Sequence, residues 1–130
     1  VLKHQVRDLY DHYNRLLDDG RADDWAGLFT ADGVFDGPGR PLLTGSRELR
    51  DFAGARDPRG IRHLTFNLVV PEGADVSEGG ATDVTADFVL FHVRGEPPSA
   101  QITALGRYAD TLTRVGGRLL FARRVVTRIL

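Results

Sequence analysis

Ile61-Arg62-His63-Leu64-Thr65-Phe66-Asn67-Leu68-Val69-Val70 reads as a β-strand, rich in β-branched and aromatic residues and closed by Pro71-Glu72-Gly73. With a period of two, His63, Thr65, Asn67 and Val69 fall on one face. An imidazole and a carboxamide on an otherwise apolar strand call for partners, because a buried polar group without one costs free energy. This face is therefore expected to look into a cavity that holds water or a ligand. The competing reading has both side chains bonding neighbouring backbone.

Working outward, three further strands follow, over residues 83–93, 100–113 and 118–129. Val115-Gly116-Gly117-Arg118 makes the tight turn of the last hairpin. Upstream of residue 61 the pattern is helical. Val6, Leu9, Tyr10, Tyr13, Leu16 and Leu17 recur at three- and four-residue spacing over residues 5–19, and Gly20 stands where a left-handed cap ends a helix. Asp23 or Asp24 opens a short second helix whose apolar side is Trp25, Leu28 and Phe29. Ala31-Asp32-Gly33 turns into a short strand, Val34-Phe35-Asp36, and Ser46 caps a third helix. Helices first and a strand meander afterwards predict an α+β fold, with helices packed on one face of a curved antiparallel sheet.

Bulk properties narrow the function classes. A chain of 130 residues with 42% hydrophobic content suits a single domain, residues 1–130. Its net charge of -1, from 17 basic and 18 acidic residues, argues against nucleic-acid or anionic-membrane binding. No apolar run reaches the roughly 18 residues of a membrane span, and no signal peptide is read. Cysteine is absent, which removes disulfides, thiol nucleophiles and thiolate metal sites and fits a cytoplasmic location. The four histidines lack close pairing, so no metal is expected. No glycine-rich phosphate loop follows a strand, and no cofactor is expected.

Individual residues carry the chemistry. Val84, Ala86, Phe88, Leu90 and His92 share the more apolar face of the second long strand, which makes His92 a pocket candidate against the alternative of a strand-end surface residue. Arg123-Arg124 puts one guanidinium on each face of the last strand. An inward Arg124 would anchor a carboxylate on a ligand, or pair with Asp110 or Asp87 within the protein. Trp25 is expected in the pocket wall or the seam between helices and sheet. Asp32, in a turn, either bonds loop amides or serves the site.

The order of these segments resembles a known superfamily. Asp24-Trp25-Ala26-Gly27-Leu28-Phe29-Thr30-Ala31-Asp32-Gly33-Val34-Phe35, Arg62-His63 with Asn67, Gly106-Arg107-Tyr108-Ala109-Asp110 and Arg124-Val125-Val126 look like the SnoaL-like branch of the nuclear-transport-factor-2-like superfamily. The resemblance covers nearly the whole chain. It implies a cone, in which a bent sheet wraps around helices and encloses a pocket, but fold alone does not settle function. Tyr13 falls where ketosteroid isomerases carry an oxyanion-stabilising tyrosine, whereas Gly37 and Ala109 occupy their base and second-acid positions. Against scytalone dehydratase, His63 matches the first catalytic histidine, His92 stands for the second and Asp18 matches the aspartate of the first helix. Leu17 and the Phe35-Asp36 region replace its two tyrosines.

The resemblance therefore implies cofactor-independent acid/base chemistry on a small, hydrophobic, oxygenated, polyketide-like molecule: cyclisation, dehydration or isomerisation. His63 would be the acid/base, Asp18 or Asp32 its orienter, and Tyr13 a donor, with His92 as a further catalytic candidate. Asn67, Trp25, Phe88, Tyr108 and Arg124 would contact the substrate. The alternative is a non-catalytic binding or assembly domain, including a role like that of a dioxygenase small subunit. A homodimer through the outer face of the sheet is expected.

Overall fold

The computed structural model describes all 130 residues, Val1–Leu130. Helix α1 (Leu2–Asp18) buries Val6, Leu9, Tyr10, Tyr13 and Leu17, the stripe its spacing predicts. It begins three residues before the expected start. Gly20 takes φ 73°, and the amides of Gly20 and Arg21 return to Leu17 and Leu16. These bonds satisfy carbonyls that the helix end would otherwise leave open. Helix α2 (Ala22–Ala26) is capped from Arg21 rather than from Asp23 or Asp24, which lie in its first turn. There their carboxylates face the positive end of the helix dipole.

Strand β1 (Phe29–Asp36) is longer than expected and contains an irregularity between Phe29 and Val34. β2 is the pair Leu43–Thr44. Helix α3 (Ser46–Gly54) takes Gly45 as its cap, so Ser46 is its first residue and not its cap. The strands β3 (Ile61–Val69), β4 (Ala81–Arg94), β5 (Ser99–Val115) and β6 (Arg118–Arg128) form the meander. Gly116 and Gly117 both have positive φ, 59° and 78°, as a two-residue hairpin turn requires. The Glu78 carboxylate accepts both of their amides.

The sheet order is β2-β1-β6-β5-β4-β3. Every neighbouring pair is antiparallel except β1 with β6, which is parallel, so the sheet is mixed where a purely antiparallel one is expected. Extra residues interrupt the register in β3, β5 and β6, and such bulges add the twist that curves a sheet. The main core joins the helices to the sheet around Trp25, Leu49, Leu112 and Phe121, all fully buried. A separate cluster of Phe88, Ala104 and Tyr108 covers the far end of the sheet. No helix is long and apolar enough to cross a membrane.

Candidate functional site

The last residue of α1 meets the third residue of β3. Asp18 accepts the His63 backbone amide on Oδ2 at 2.8 Å and lies 2.5 Å from His63 Nδ1 through Oδ1. A carboxylate has no proton to give, so Nδ1 carries the hydrogen and donates it. That fixes both the ring plane and the tautomer. Nε2 has no protein partner. The two side chains are only 9% and 6% exposed, so little water competes for the pair. The strand places the ring, the helix end places the carboxylate, and the backbone bond ties the two elements together.

His63 forms part of the wall of a cavity of about 180 Å³ under the curved sheet. Phe88 and Tyr108 stack at 4.5 Å with planes 16° apart to make its floor. Tyr13 meets Tyr108 edge-on at 6.2 Å, and Leu17, Phe35 and Leu90 complete the apolar surface. Burial pushes the Tyr13 and Tyr108 phenols up from their ordinary values, with the nearby Arg124 charge opposing it. Both stay protonated near neutral pH, and an O–H in such a place donates a hydrogen bond to a ligand oxygen.

His63 also borders a groove of about 460 Å³ between α1 and β3. Leu64 is its single apolar lining residue, and its three arginines face three aspartates, Asp11, Asp18 and Asp19. A ligand gains little from so polar a surface. The cavity is the better site.

The structure sorts the expected residues. His63, Tyr13, Phe88 and Tyr108 line the cavity, with Asp18 directly behind His63. Asp32 does not orient His63: it is exposed on β1 and accepts a bond from Thr30 at 3.0 Å. Asn67 does not share the face of His63 and is no ligand contact in the cavity. It sits in the β3 bulge at φ 53°, and its side chain donates to Asp87 on the opposite face at 2.9 Å. His92 pairs with Ile61 at the end of β4 and lies outside the cavity wall, beside Gly60 and Asp57. Trp25 is fully buried one layer behind, packed on Tyr13, Phe29, Phe35 and Phe52.

Arg124 is not free to hold a substrate. It is fully buried and bound bidentately by Asp110, through Nε at 2.8 Å and Nη2 at 2.7 Å. Tyr10 donates to the same carboxylate. The guanidinium lies 3.5 Å from the Tyr108 ring centroid and 4.3 Å from that of Tyr13, so aromatic faces take the cation where no acceptor stands. Residues without an advance signal are Arg40, Arg56 and Arg128 around the same cavity. They come from a glycine- and proline-rich loop, the residues after α3 and the end of β6, which no sequence spacing links. No group of three or more histidine, aspartate or glutamate side chains stands in metal-binding proximity.

Comparisons with known proteins agree with this architecture. A family model described as a SnoaL-like domain matches residues 2–125. Among solved structures, a single-residue variant of a function-unknown protein from Mycobacterium tuberculosis is 25% identical. The match covers 95% of this chain and 69% of that chain, with a TM-score of 0.81. Aln2 from a Streptomyces species is 22% identical over 98% of this chain and 90% of its own, with a TM-score of 0.84. A protein from Catenulispora acidiphila in complex with S-DNPA is 24% identical over 98% and 92%, with a TM-score of 0.80. The last two likenesses speak to the fold alone. No curated protein matches.

Proposed function

This chain belongs to the SnoaL-like domain family, and we propose that it is a cofactor-independent acid/base enzyme acting on a small, hydrophobic, oxygenated molecule of polyketide type. One observation carries the reading: Asp18 binds Nδ1 of His63, no protein group binds Nε2, and the His63 ring borders an aromatic cavity. A neutral imidazole so held is a general base. Nε2 takes a proton from carbon next to a carbonyl, and the C–H electrons become the enolate double bond. The carbonyl oxygen gains the negative charge, and the Tyr13 and Tyr108 hydroxyls donate to it. The enolate then recaptures a proton, expels a β-hydroxyl as water with the imidazolium proton, or attacks a second carbonyl. These outcomes are isomerisation, dehydration and cyclisation.

The test uses a neutral bicyclic ketone, 2-tetralone, in D₂O, with deuterium entry at the α-carbons followed by NMR. The parent should accelerate exchange, and His63→Asn should lower the enzymatic rate by roughly two to four orders of magnitude. Ketone binding without accelerated exchange would hand the site to the alternative reading, a binding domain.

We also propose a homodimer through the outer face of the sheet. Leu64, Phe66 and Ile102 are 53%, 39% and 50% exposed there. They adjoin Val89 and Phe91 in register, more contiguous apolar surface than a small monomer usually shows. Light scattering should report twice the 14.3 kDa chain mass, and Phe91→Arg should halve it. A monomeric parent would refute the dimer.

A further inference from the structure

The charge lining the cavity is one-sided. Arg40, Arg56 and Arg128 reach its wall, and no aspartate or glutamate does. None of the three makes a salt bridge with a carboxylate, whereas Arg124 under the same sheet is paired with Asp110. The polar groove on the other side of His63 balances three arginines against three aspartates. The excess of positive charge therefore belongs to the cavity and not to the region as a whole.

Two of these guanidiniums are held in place by the protein. Arg40 lies over the Phe52 ring, 4.3 Å from its centroid. Arg128 donates through Nε to the Leu130 carbonyl at 3.0 Å and through Nη2 to the Thr103 carbonyl at 3.2 Å. These contacts hold both side chains at the cavity. Arg56 is half-buried, and its charge is felt at the Tyr13 phenol deeper in the cavity. Three like charges around one opening make a positive potential that favours an anion there. Guanidinium forks match a carboxylate in both charge and shape.

We propose that the molecule this cavity accepts is an anion, an aromatic or polycyclic compound bearing a carboxylate, with the carboxylate on Arg40, Arg56 and Arg128 and the ring body against Phe88 and Tyr108. This rests on the cavity being the site assigned above and adds the charge of its occupant. The cavity volume, about 180 Å³, lies below the roughly 300–1,000 Å³ of sites for drug-sized ligands. One or two fused rings fill it, and the carboxylate stays among the arginines where their charge is strongest. The arrangement also sets the register. A carboxylate held among the arginines fixes how far the rings reach toward His63, so the acidic carbon must stand at a defined distance from the carboxylate.

The experiment compares two probes of one shape, 2-naphthoate and the neutral 2-acetonaphthone, by isothermal titration calorimetry on the intact chain. The parent should bind the carboxylate at least about tenfold more tightly. Raising salt from 50 to 500 mM should weaken the carboxylate and leave the ketone unchanged. Arg40→Gln, Arg56→Gln and Arg128→Gln should each lower carboxylate affinity about three- to tenfold while the ketone holds its affinity. Equal affinity of the parent for both probes, no binding of either, or an equal loss of both in the arginine variants would overturn the proposal. His63→Asn should keep the preference for the carboxylate. A parent that shows the preference but no exchange activity would support the anion site while refuting the catalytic reading. Exchange activity without the preference would do the reverse.

Discussion

Two carboxylate–cation pairs lie under the same sheet and have opposite fates. Asp110 and Arg124 are completely sealed, and every oxygen of Asp110 is taken by Arg124 or Tyr10. His63 stands in the cavity wall with Asp18 behind it, and their pairing leaves one ring nitrogen over. The first pair also leaves one atom without a hydrogen bond, Arg124 Nη1, but that atom is sealed in the core beside aromatic rings, so the pair's contribution is to hold β5, β6 and α1 in place. The second is incomplete by construction. A charged pair is therefore not informative by its composition; the atom it leaves unsatisfied, and where that atom lies, distinguishes scaffold from chemistry.

The strongest way to break the contrast is Asp18→Asn. The amide keeps an oxygen for the His63 backbone N–H but turns an NH₂ toward Nδ1, which forces the ring proton onto Nε2. Exchange of the ketone α-protons should fall by roughly three to four orders of magnitude, while the urea midpoint moves little. If activity survives, the tautomer argument fails. Asp110→Ala should do the converse. It strands the Arg124 charge in the interior and should cost about 3–5 kcal/mol of stability, measured by urea unfolding. Replacing both partners by apolar residues, Asp110→Leu with Arg124→Met, should recover most of that loss, and a failure to recover would give the pair a role beyond charge compensation.

The smallest effects belong to the outer face. Asn67→Ala removes the bond to Asp87 from a residue in the left-handed region and should cost about 1 kcal/mol with the exchange rate unchanged; a lost rate would return Asn67 to the site. The Asp87 carboxyl is held below its usual value by Arg107, with Asn67 adding to it. A depressed carboxylate stabilises the fold above its unfolded value, here near 3.8, and loses that contribution as pH falls through the lower folded value. The stability lost as pH falls below about 4 should therefore be smaller by a few tenths of a kcal/mol in Asp87→Asn, a small term because the ion pair is exposed.

Much of the architecture was legible in the chain. The α1 stripe, the Gly20 stop, the Gly116-Gly117 turn and the strand-rich second half are local patterns, and each local preference agrees with the final fold. Phe88 on the cavity face follows from strand parity, and Tyr108 at the site and Asp18 beside His63 follow from the family resemblance.

What the sequence by itself determined is the set of elements and the residue types available to them, because helical and strand periodicity are written in neighbours a few positions apart. Register is a different matter. One extra residue in β3 turned Asn67 to the outer face, and one in β6 placed Arg124 opposite Asp110. Periodicity does not reveal a bulge, since a single inserted residue reverses the parity of everything beyond it. The arginine ring around the cavity belongs to the same class of facts: Arg40, Arg56 and Arg128 meet only after the loop before β2, the end of α3 and the end of β6 are folded together. Tertiary structure decided which of the offered charge pairs form and which charges stay unpaired, because charge compensation depends on distance in space and not along the chain.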